Sequence, residues 1–303
     1  MVSSLVSSIT ARRIRRWAEL ADYSRSRNWA ELPHDVTASI LSQLGTVDIL
    51  TNAQMVCVTW HNICKDRPAM WRTIDMRNVF NYQTYLRYDI KKMCRHAVDR
   101  SSSNVVDIIV NDFCTDELLK YITDISRGIK RLRLVDCLDI TDEGLSEVAS
   151  KLPLLEELEI SNSFLSHEPL QVVGASCPLL KSFKFNHRWY IWDWRKSNNH
   201  ALAIAGTMHD LHHLQLRGDK LTNDGLRAIL DRCPHLETLD LRQCSHLKLG
   251  GELGRRCAER IKKLQLPDDP TDNLKFFYRS AFSDMDDDVY YELLSGNVFY
   301  VFL

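Results

Sequence analysis

The sequence predicts an α/β solenoid, a curved parallel sheet with helices on its convex side, preceded by a small module of three helices. Short apolar strand-like cores recur along the C-terminal two-thirds of the chain every 25 or 26 residues, apart from one step of 31. A Ser or Thr that opens a helical run recurs with the same spacing, including the long step. The cores lie at Val106, Leu132, Leu158, Phe183, Leu214, Leu239 and Leu264, and the hydroxyl residues at Thr115, Thr141, Ser166, Ser197 and Thr222.

A period in the twenties, built from one strand and one helix, is typical of leucine-rich repeats. Each unit is too small to bury its apolar side alone, so units stack and leave one long face free. In the clearest unit, Leu132 and Leu134 flank one outward position, as the period of two in a strand requires. Thr141 is expected to cap the following helix through its hydroxyl, as is Thr222 in a later unit. The C-terminal two-thirds is therefore predicted to be a binding surface.

Composition places the chain among ordinary soluble globular proteins, with 45% apolar and 26% charged residues. The formal net charge of -1 gives no overall signal for a nucleic-acid or membrane partner. Nine cysteines occur without zinc-site spacing, and several occupy equivalent repeat positions. They are expected to be buried, unpaired thiols of a reducing compartment, the nucleus or the cytoplasm. No metal or cofactor is expected, because His209, His212 and His213 have no acid or Cys at ligand spacing.

Changes in pattern along the chain divide it into four segments. Residues 1–27 are a basic arm, expected to be disordered, with an organelle transit peptide as the alternative. Residues 28–73 are the helical module and residues 74–267 are the repeats. The array is expected to end near Gly250-Gly251, which replaces the usual Thr-Asp-x-Gly helix start. Residues 268–303 are an acidic and aromatic tail.

The helical module has too few residues for a generous core, yet it carries a strong apolar stripe. Pro33 suits a helix start, because its missing N–H costs nothing there. A second helix is expected to be capped by Thr46, and a third to run through Val56 and Cys64 until Pro68. The stripe after Pro33 consists of Val36, Ile40, Leu41 and Leu44. Such an apolar edge indicates a protein-interaction site.

The same residues resemble the F-box. The matching segments are Leu32-Pro33-His34-Asp35-Val36, Ile40-Leu41, Leu44, Val56-Cys57-Val58-Thr59-Trp60 and Pro68-Ala69-Met70-Trp71. The segment from Arg72 to Met76 resembles the lead-in strand of many F-box proteins. The repeats are similar to the cysteine-containing class of leucine-rich repeats. Over residues 28–267 the chain resembles plant F-box/leucine-rich-repeat proteins of the Skp-interacting-partner group.

This resemblance implies the substrate-recognition subunit of a Skp–cullin–F-box E3 ubiquitin ligase. The F-box would dock the Skp-type adaptor, the repeats would bind the target protein, and the chain would catalyse nothing itself. Cys57, Trp60 and Trp71 would form the core of the module. The adaptor contacts or their immediate support would be Leu32, Pro33, Val36, Ile40, Leu41 and Leu44. The alternatives are a leucine-rich-repeat binding or inhibitory scaffold, whose helical start only caps the array, and an enzyme with a Cys nucleophile.

In this architecture the positions beside the strand leucines point outward from the concave sheet. Their charges are of both signs, which suits a protein or peptide partner and argues against a nucleic-acid stripe. The long step adds an insertion of Trp, Tyr and Arg, residue types enriched at interaction hot spots. The predicted target-binding residues are Arg131, Arg133, Glu157, Glu159, Lys184, Trp189, Trp192, Trp194, Gln215, Arg217, Asp240 and Arg242. A solvated sheet face and an aromatic plug over the repeat edge are the alternatives.

Overall fold

The computed structural model describes residues 32–77, 88–186 and 195–270. Within these ranges, eight strands form one parallel sheet in sequence order, so each strand pairs with its neighbours along the chain. Helices connect successive strands and pack against one another in the same order. This architecture is the α/β leucine-rich-repeat solenoid that the sequence predicts, with the helical module at its N-terminal end.

The elements are short and regular. The helical module contains α1 (His34–Leu41), α2 (Thr46–Thr51) and α3 (Val58–Asp66), with 3-10 turns at Ala53–Met55 and Pro68–Trp71. The strands are β1 (Thr73–Asp75), β2 (Asp107–Asn111), β3 (Arg131–Val135), β4 (Glu157–Ser161), β5 (Ser182–Asn186), β6 (His213–Gln215), β7 (Thr238–Asp240) and β8 (Lys263–Gln265). The helices of the repeats are α4 (Ile90–Arg100), α5 (Asp116–Ile125), α6 (Asp142–Ala149), α7 (Glu168–Ser176), α8 (Asn199–Thr207), α9 (Asn223–Arg232) and α10 (Gly251–Arg260).

The predicted strand cores form one row across the sheet, with one exception. Leu132 pairs with Leu158, and the row continues through the cores at 183, 214, 239 and 264. The prediction of Val106 as the first core is wrong by two residues, because the partner of Leu132 is Ile108. Val106 lies just before β2, and its carbonyl accepts from the backbone N–H of Lys130 at 2.8 Å. Val106 has the same parity as Ile108 and Val110, so the apolar alternation begins before the strand does and does not show where β2 starts.

Each repeat holds the helix start of the next. Thr141 caps α6 by accepting from the Gly144 N–H at 3.0 Å, as predicted. Asp116, in the first turn of α5, accepts from the Thr141 backbone N–H at 2.9 Å and from its hydroxyl at 2.7 Å. A Cβ added at Gly144 would lie 1.9 Å from the Asp116 carboxylate, so this position requires glycine. Asn198 accepts from the Thr222 N–H in the same way, at 2.8 Å.

The helical module packs onto the first strand of the sheet. Trp71 is fully buried, and its Nε1 donates to the Cys64 carbonyl at 2.8 Å. Thr46 does not cap α2 as predicted; its hydroxyl instead accepts from the backbone N–H of Asp75 in β1 at 3.0 Å. The N-cap residue is Gly45, because α2 begins at Thr46 itself. This bond ties the module to the edge of the sheet.

One continuous apolar core runs from the helical module through the repeats. All nine cysteines are unpaired, and eight of them are buried, which confirms the prediction of buried structural thiols. The last unit lacks the Thr-Asp-x-Gly start, yet it forms α10 and β8. There Gly251 adopts φ +67°, a left-handed conformation that glycine adopts without strain. The repeat pattern therefore persists after its helix-start motif is lost.

Candidate functional site

The helical module exposes apolar side chains on two of its elements. The first group lies on and just after α1, and the second lies on the segment that leads into α3. Pro33 is exposed, and the other six side chains are between 37% and 75% exposed. We call this set the apolar surface of the module; its members are Pro33, Val36, Ile40, Leu44, Met55, Val56 and Val58. Exposed apolar clusters of this kind mark protein-interaction sites.

The predicted adaptor residues divide into an exposed group and a supporting group. Val36, Ile40 and Leu44 present their side chains to solvent. Leu41 is fully buried, so it supports α1 from below and does not itself present a contact. Leu32 is half-buried at the start of the described chain. The periodicity of the stripe identified the helix correctly but placed Leu41 on the same face as its exposed neighbours.

The second exposed group was not predicted as part of the site. The sequence pattern assigned Val56 and Val58 to the buried stripe of the third helix. In the structure Cys57 is the N-cap of α3, so Val56 precedes the helix and Val58 opens it. The buried side of α3 consists of Ile63 and Cys64. The Val-Cys-Val sequence alone contains no signal for this helix start.

The concave side of the sheet carries the second candidate site. Five of the predicted target-binding residues align in a single row, one from each of five neighbouring strands. This row consists of Arg133, Glu159, Lys184, Gln215 and Asp240. Arg131 and Glu157 pair in the row beside it. The structure therefore places these predicted residues on one face.

Neighbouring strands exchange ion pairs across the N-terminal part of this face. The Nε of Arg131 lies 2.9 Å from the Oδ2 of Asp107. The Nζ of Lys184 lies 3.3 Å from the Oε2 of Glu159. Ion pairs near the surface stabilise a fold by only about 0–1 kcal/mol. Their main effect is that charges of opposite sign cancel locally on this part of the face.

Asp240 and Arg242 differ from the other predicted target-binding residues, because the structure buries both. The Nη2 of Arg242 and the Nε of Arg217 lie 2.9 Å and 2.7 Å from the same Asp240 oxygen. Arg242 also donates to the backbone carbonyl of Pro270 at 2.9 Å. The segment after β8 therefore anchors on Arg242, and the prediction that Asp240 and Arg242 are accessible target contacts is not supported.

A hollow of about 330 Å³ lies on the concave side across β5 to β8. Within it, Nδ1 of His213 lies 2.8 Å from the hydroxyl of Thr238. Gln215 donates to Asn186 at 2.8 Å beside it. The outward polar side chains of the hollow are Ser182, Lys184, His213, Gln215, Thr238, Asp240, Lys263 and Gln265. A depression that offers several hydrogen-bonding side chains beside apolar surface suits a peptide side chain or a short extended segment.

Trp189, Trp192 and Trp194, the predicted contacts of the insertion, lie outside the described residues. The insertion follows Asn186, the last residue of β5, which pairs with Ser161 at the end of β4. The prediction that these tryptophans contact a target stays a prediction.

The thiols of the repeats are poorly suited to nucleophilic chemistry. Burial raises the pKa of Cys94 to about 12 and the pKa of Cys177 to about 11. Burial likewise raises the pKa of Cys233 to about 11, although the charge of Arg260 partly opposes it. A thiol with such a pKa is protonated at neutral pH, and the thiolate is the reactive form. These three thiols are therefore packing groups.

Within residues 32–77, 88–186 and 195–270, no group of three or more His, Cys, Asp or Glu residues is arranged to hold a metal ion. None of the helices in those ranges is both long enough and apolar enough to cross a membrane.

Comparisons with known proteins agree with this geometry. The F-box-like family model matches residues 29–77. F-box/LRR-repeat protein 23 of Arabidopsis thaliana is 51% identical over 247 residues, which cover 81% of this chain and 55% of that protein. The chain thus spans about half the length of that relative. The F-box protein SKIP19 of the same plant is 46% identical over 248 residues, covering 82% of this chain and 80% of the relative.

Among solved structures, the complex of Rad7 and Elc1 from yeast aligns with 88% of this chain and 67% of that chain. The sequence identity is 15% and the TM-score is 0.37, which is too low to support an argument about function. The relation to SKIP19, in contrast, extends over both the helical module and the repeats. The chain therefore belongs to the F-box/leucine-rich-repeat proteins of plants.

Proposed function

We propose that this protein is the substrate-recognition subunit of a Skp–cullin–F-box E3 ubiquitin ligase. The F-box docks a Skp-type adaptor, and the concave sheet binds the protein to be ubiquitinated. The chain contributes binding and positioning, because holding a target near a charged ubiquitin enzyme accelerates transfer by proximity. It acts in the nucleus, the cytoplasm or both.

The apolar surface of the module is the observation that carries this proposal. Seven apolar residues stay exposed on a small module in which other large apolar side chains, among them Leu41, Ile63 and Trp71, are buried. Burying such a surface against a partner is favourable by about 25 cal/mol per Å² of apolar area. The names of two relatives, the F-box proteins SKIP19 and SKIP1, denote Skp-interacting partners and support an adaptor of this type.

The concave sheet supports the second half of the proposal. Its outward residues are polar and of both signs, and the hollow across β5 to β8 offers hydrogen-bonding groups to a peptide. Interfaces combine such polar rims with a few large anchors. Burial raises the pKa of Cys94, Cys177 and Cys233, which disfavours the thiolate that the Cys-nucleophile alternative requires.

Charge placed on the apolar surface tests the adaptor interface. Val36→Glu with Ile40→Glu should weaken binding of a purified Skp-type adaptor by more than about tenfold, because two exposed apolar contacts become desolvated carboxylates. Val172→Glu with Leu179→Glu is the matched control, since these side chains lie on and after α7 and are 37% and 43% exposed. Isothermal titration calorimetry measures the affinity, and circular dichroism verifies the fold of both variants. Equal binding by the two variants would contradict the proposal.

The same variants separate the ligase role from a free-standing scaffold. With proteasome activity blocked, affinity purification of the unmodified protein should recover adaptor, cullin and target proteins together. The Val36→Glu, Ile40→Glu variant should lose the adaptor and cullin while keeping the targets. If no cullin component is recovered even with the unmodified protein, the leucine-rich-repeat scaffold becomes the better explanation.

A further inference from the structure

Positive charge concentrates at the C-terminal end of the concave sheet. Among the residues that line the hollow, the cations are Lys184 and Lys263 and the one carboxylate is Asp240. Arg217 and Arg242 lie just after β6 and β7. Both arginines bind Asp240, so its charge is already neutralised. In the described part of the chain, Lys263 has no carboxylate within ion-pair distance, and Lys184 shares only Glu159 on its other side. The hollow therefore presents unmatched positive charge to a ligand.

The described chain ends beside this hollow. After β8, the Pro267 carbonyl accepts from the Gln243 N–H at 2.9 Å, and the Pro270 carbonyl accepts from Arg242 at 2.9 Å. These bonds fasten residues 266–270 along the same end of the sheet as Lys263. Whatever follows Pro270 in the sequence thus starts next to the positive charge.

An acidic segment follows within reach, in residues outside the described ranges. Residues 284–292 contain Asp284, Asp286, Asp287, Asp288 and Glu292, and no Lys or Arg. The 13 residues between Pro270 and Asp284 allow a span of up to about 50 Å when the chain is extended. The four strands β5 to β8 together span about 15 Å at the usual spacing between strands. The residues that connect Pro270 to this segment are therefore long enough for it to enter the hollow.

We propose that residues 284–292 occupy the hollow of their own molecule when no target protein is bound. Their carboxylates would lie against Lys184 and Lys263, with His213 and Gln215 as further hydrogen-bonding groups. A tethered segment of this length has an effective concentration in the millimolar range, so even weak contacts keep it in place. A target must then displace it, which makes this end of the concave sheet a self-occupied site. The proposal does not depend on membership of a ubiquitin ligase.

Competition between the tethered segment and a free peptide tests the proposal. The probe is a fluorescein-labelled synthetic peptide with the sequence of residues 283–292. The full chain with Asp284→Asn, Asp286→Asn, Asp287→Asn and Asp288→Asn should bind this peptide at least about tenfold more tightly than the unmodified chain, because the internal competitor is weakened. Fluorescence anisotropy at low ionic strength measures both affinities, and the tighter affinity should fall as salt rises.

Charge reversal identifies the site. In the Asn-substituted chain, Lys184→Glu with Lys263→Glu should abolish peptide binding. Lys91→Glu with Lys92→Glu, exposed on α4 and equal in charge change, is the matched control and should leave the binding intact. Circular dichroism verifies that the variants fold.

Two outcomes would overturn the proposal. If the peptide binds the unmodified and the Asn-substituted chains equally, residues 284–292 are not the occupant. Loss of peptide binding in the Lys184→Glu, Lys263→Glu chain would then assign the hollow to an acidic segment of another protein. If the Lys184→Glu, Lys263→Glu chain binds the peptide as tightly as the Lys91→Glu, Lys92→Glu chain, the hollow is not the site. Adaptor binding, measured on the same proteins, should be unchanged throughout, so failure here is distinguishable from failure of the ligase role.

Discussion

A glycine-to-alanine exchange at Gly144 should destabilise the protein, although alanine is the better helix former. Gly144 lies in the first turn of α6, where its missing side chain leaves room for the Asp116 carboxylate of the preceding repeat. An added Cβ would lie 1.9 Å from Oδ1 and 2.0 Å from Cγ of Asp116. The carboxylate must therefore move, and it then releases the backbone N–H and the hydroxyl of Thr141.

The magnitude follows from the bonds that are lost. Two hydrogen bonds to a partly exposed carboxylate contribute about 3 kcal/mol together, at the low end of the range for charged groups. Alanine in place of glycine returns about 1 kcal/mol of helix propensity. Gly144→Ala should therefore lower the free energy of unfolding by about 2 kcal/mol, and the midpoint of thermal unfolding by about 4–8 °C.

Gly206→Ala is the matched control for this prediction. Gly206 lies in α8, and a Cβ there meets nothing within 4 Å, so this variant should be stabilised by up to about 1 kcal/mol. Thermal unfolding followed by circular dichroism measures both variants. In addition, Asp116→Ala should cost stability in the unmodified chain but nearly nothing beside Gly144→Ala. If both glycine variants shift the midpoint in the same direction, the reasoning about Asp116 is refuted.

Three further predictions concern a core leucine, the pH dependence of stability, and the hydrogen bond that joins the helical module to the sheet. Leu158→Ala should lower the free energy of unfolding by about 3–5 kcal/mol, whereas Phe164→Ala, at a side chain 71% exposed, should change it by less than about 0.5 kcal/mol; equal urea midpoints would contradict this. Burial raises the pKa of Cys177 and Cys233 from 9.0 to about 11, so the unfolded chain releases these protons first. The free energy of unfolding should keep its full value below pH 9 and fall as the pH rises towards 11. An equally steep fall in the Cys177→Ala, Cys233→Ala variant would exclude this cause. Thr46→Val should cost about 1 kcal/mol, since the Asp75 N–H loses its acceptor; unchanged urea unfolding would show that another group replaces it.

The repeat architecture was predictable because its signals are local and recur. A strand of period two and a hydroxyl cap such as Thr141 are each specified within a few residues, and repetition averages out the errors. The misplaced core at Val106 shows the limit of this approach. Val106, Ile108 and Val110 share one face of the chain, so a slip of two residues preserves the apolar pattern, and the register there is set by pairing with β1 and β3.

The candidate sites were less predictable, because burial depends on what packs above a residue. Leu41 and Ile40 are adjacent and equally apolar, yet one is fully buried and the other is 37% exposed. Asp240 and Arg242 were predicted to be accessible, but both are buried: Asp240 is bound by Arg217 and Arg242, and Arg242 also donates to the Pro270 carbonyl. Such long-range contacts leave no trace in the spacing of either residue. The sequence can therefore predict the face of an element, but not what covers it.

Strand β1 and Trp71 also determine how the protein can be dissected experimentally. The helical module packs on β1 at the edge of the sheet, and excising it together with β1 would leave the backbone groups of β2 without a partner and uncover the apolar residues beneath. A truncated protein of this kind would be prone to aggregate through the bare edge. Loss of a partner after such a deletion would then reflect damaged folding as readily as a missing interface. Point substitutions on the surface leave the helical module and β1 in place, and they therefore test an interface of this protein without disturbing its fold.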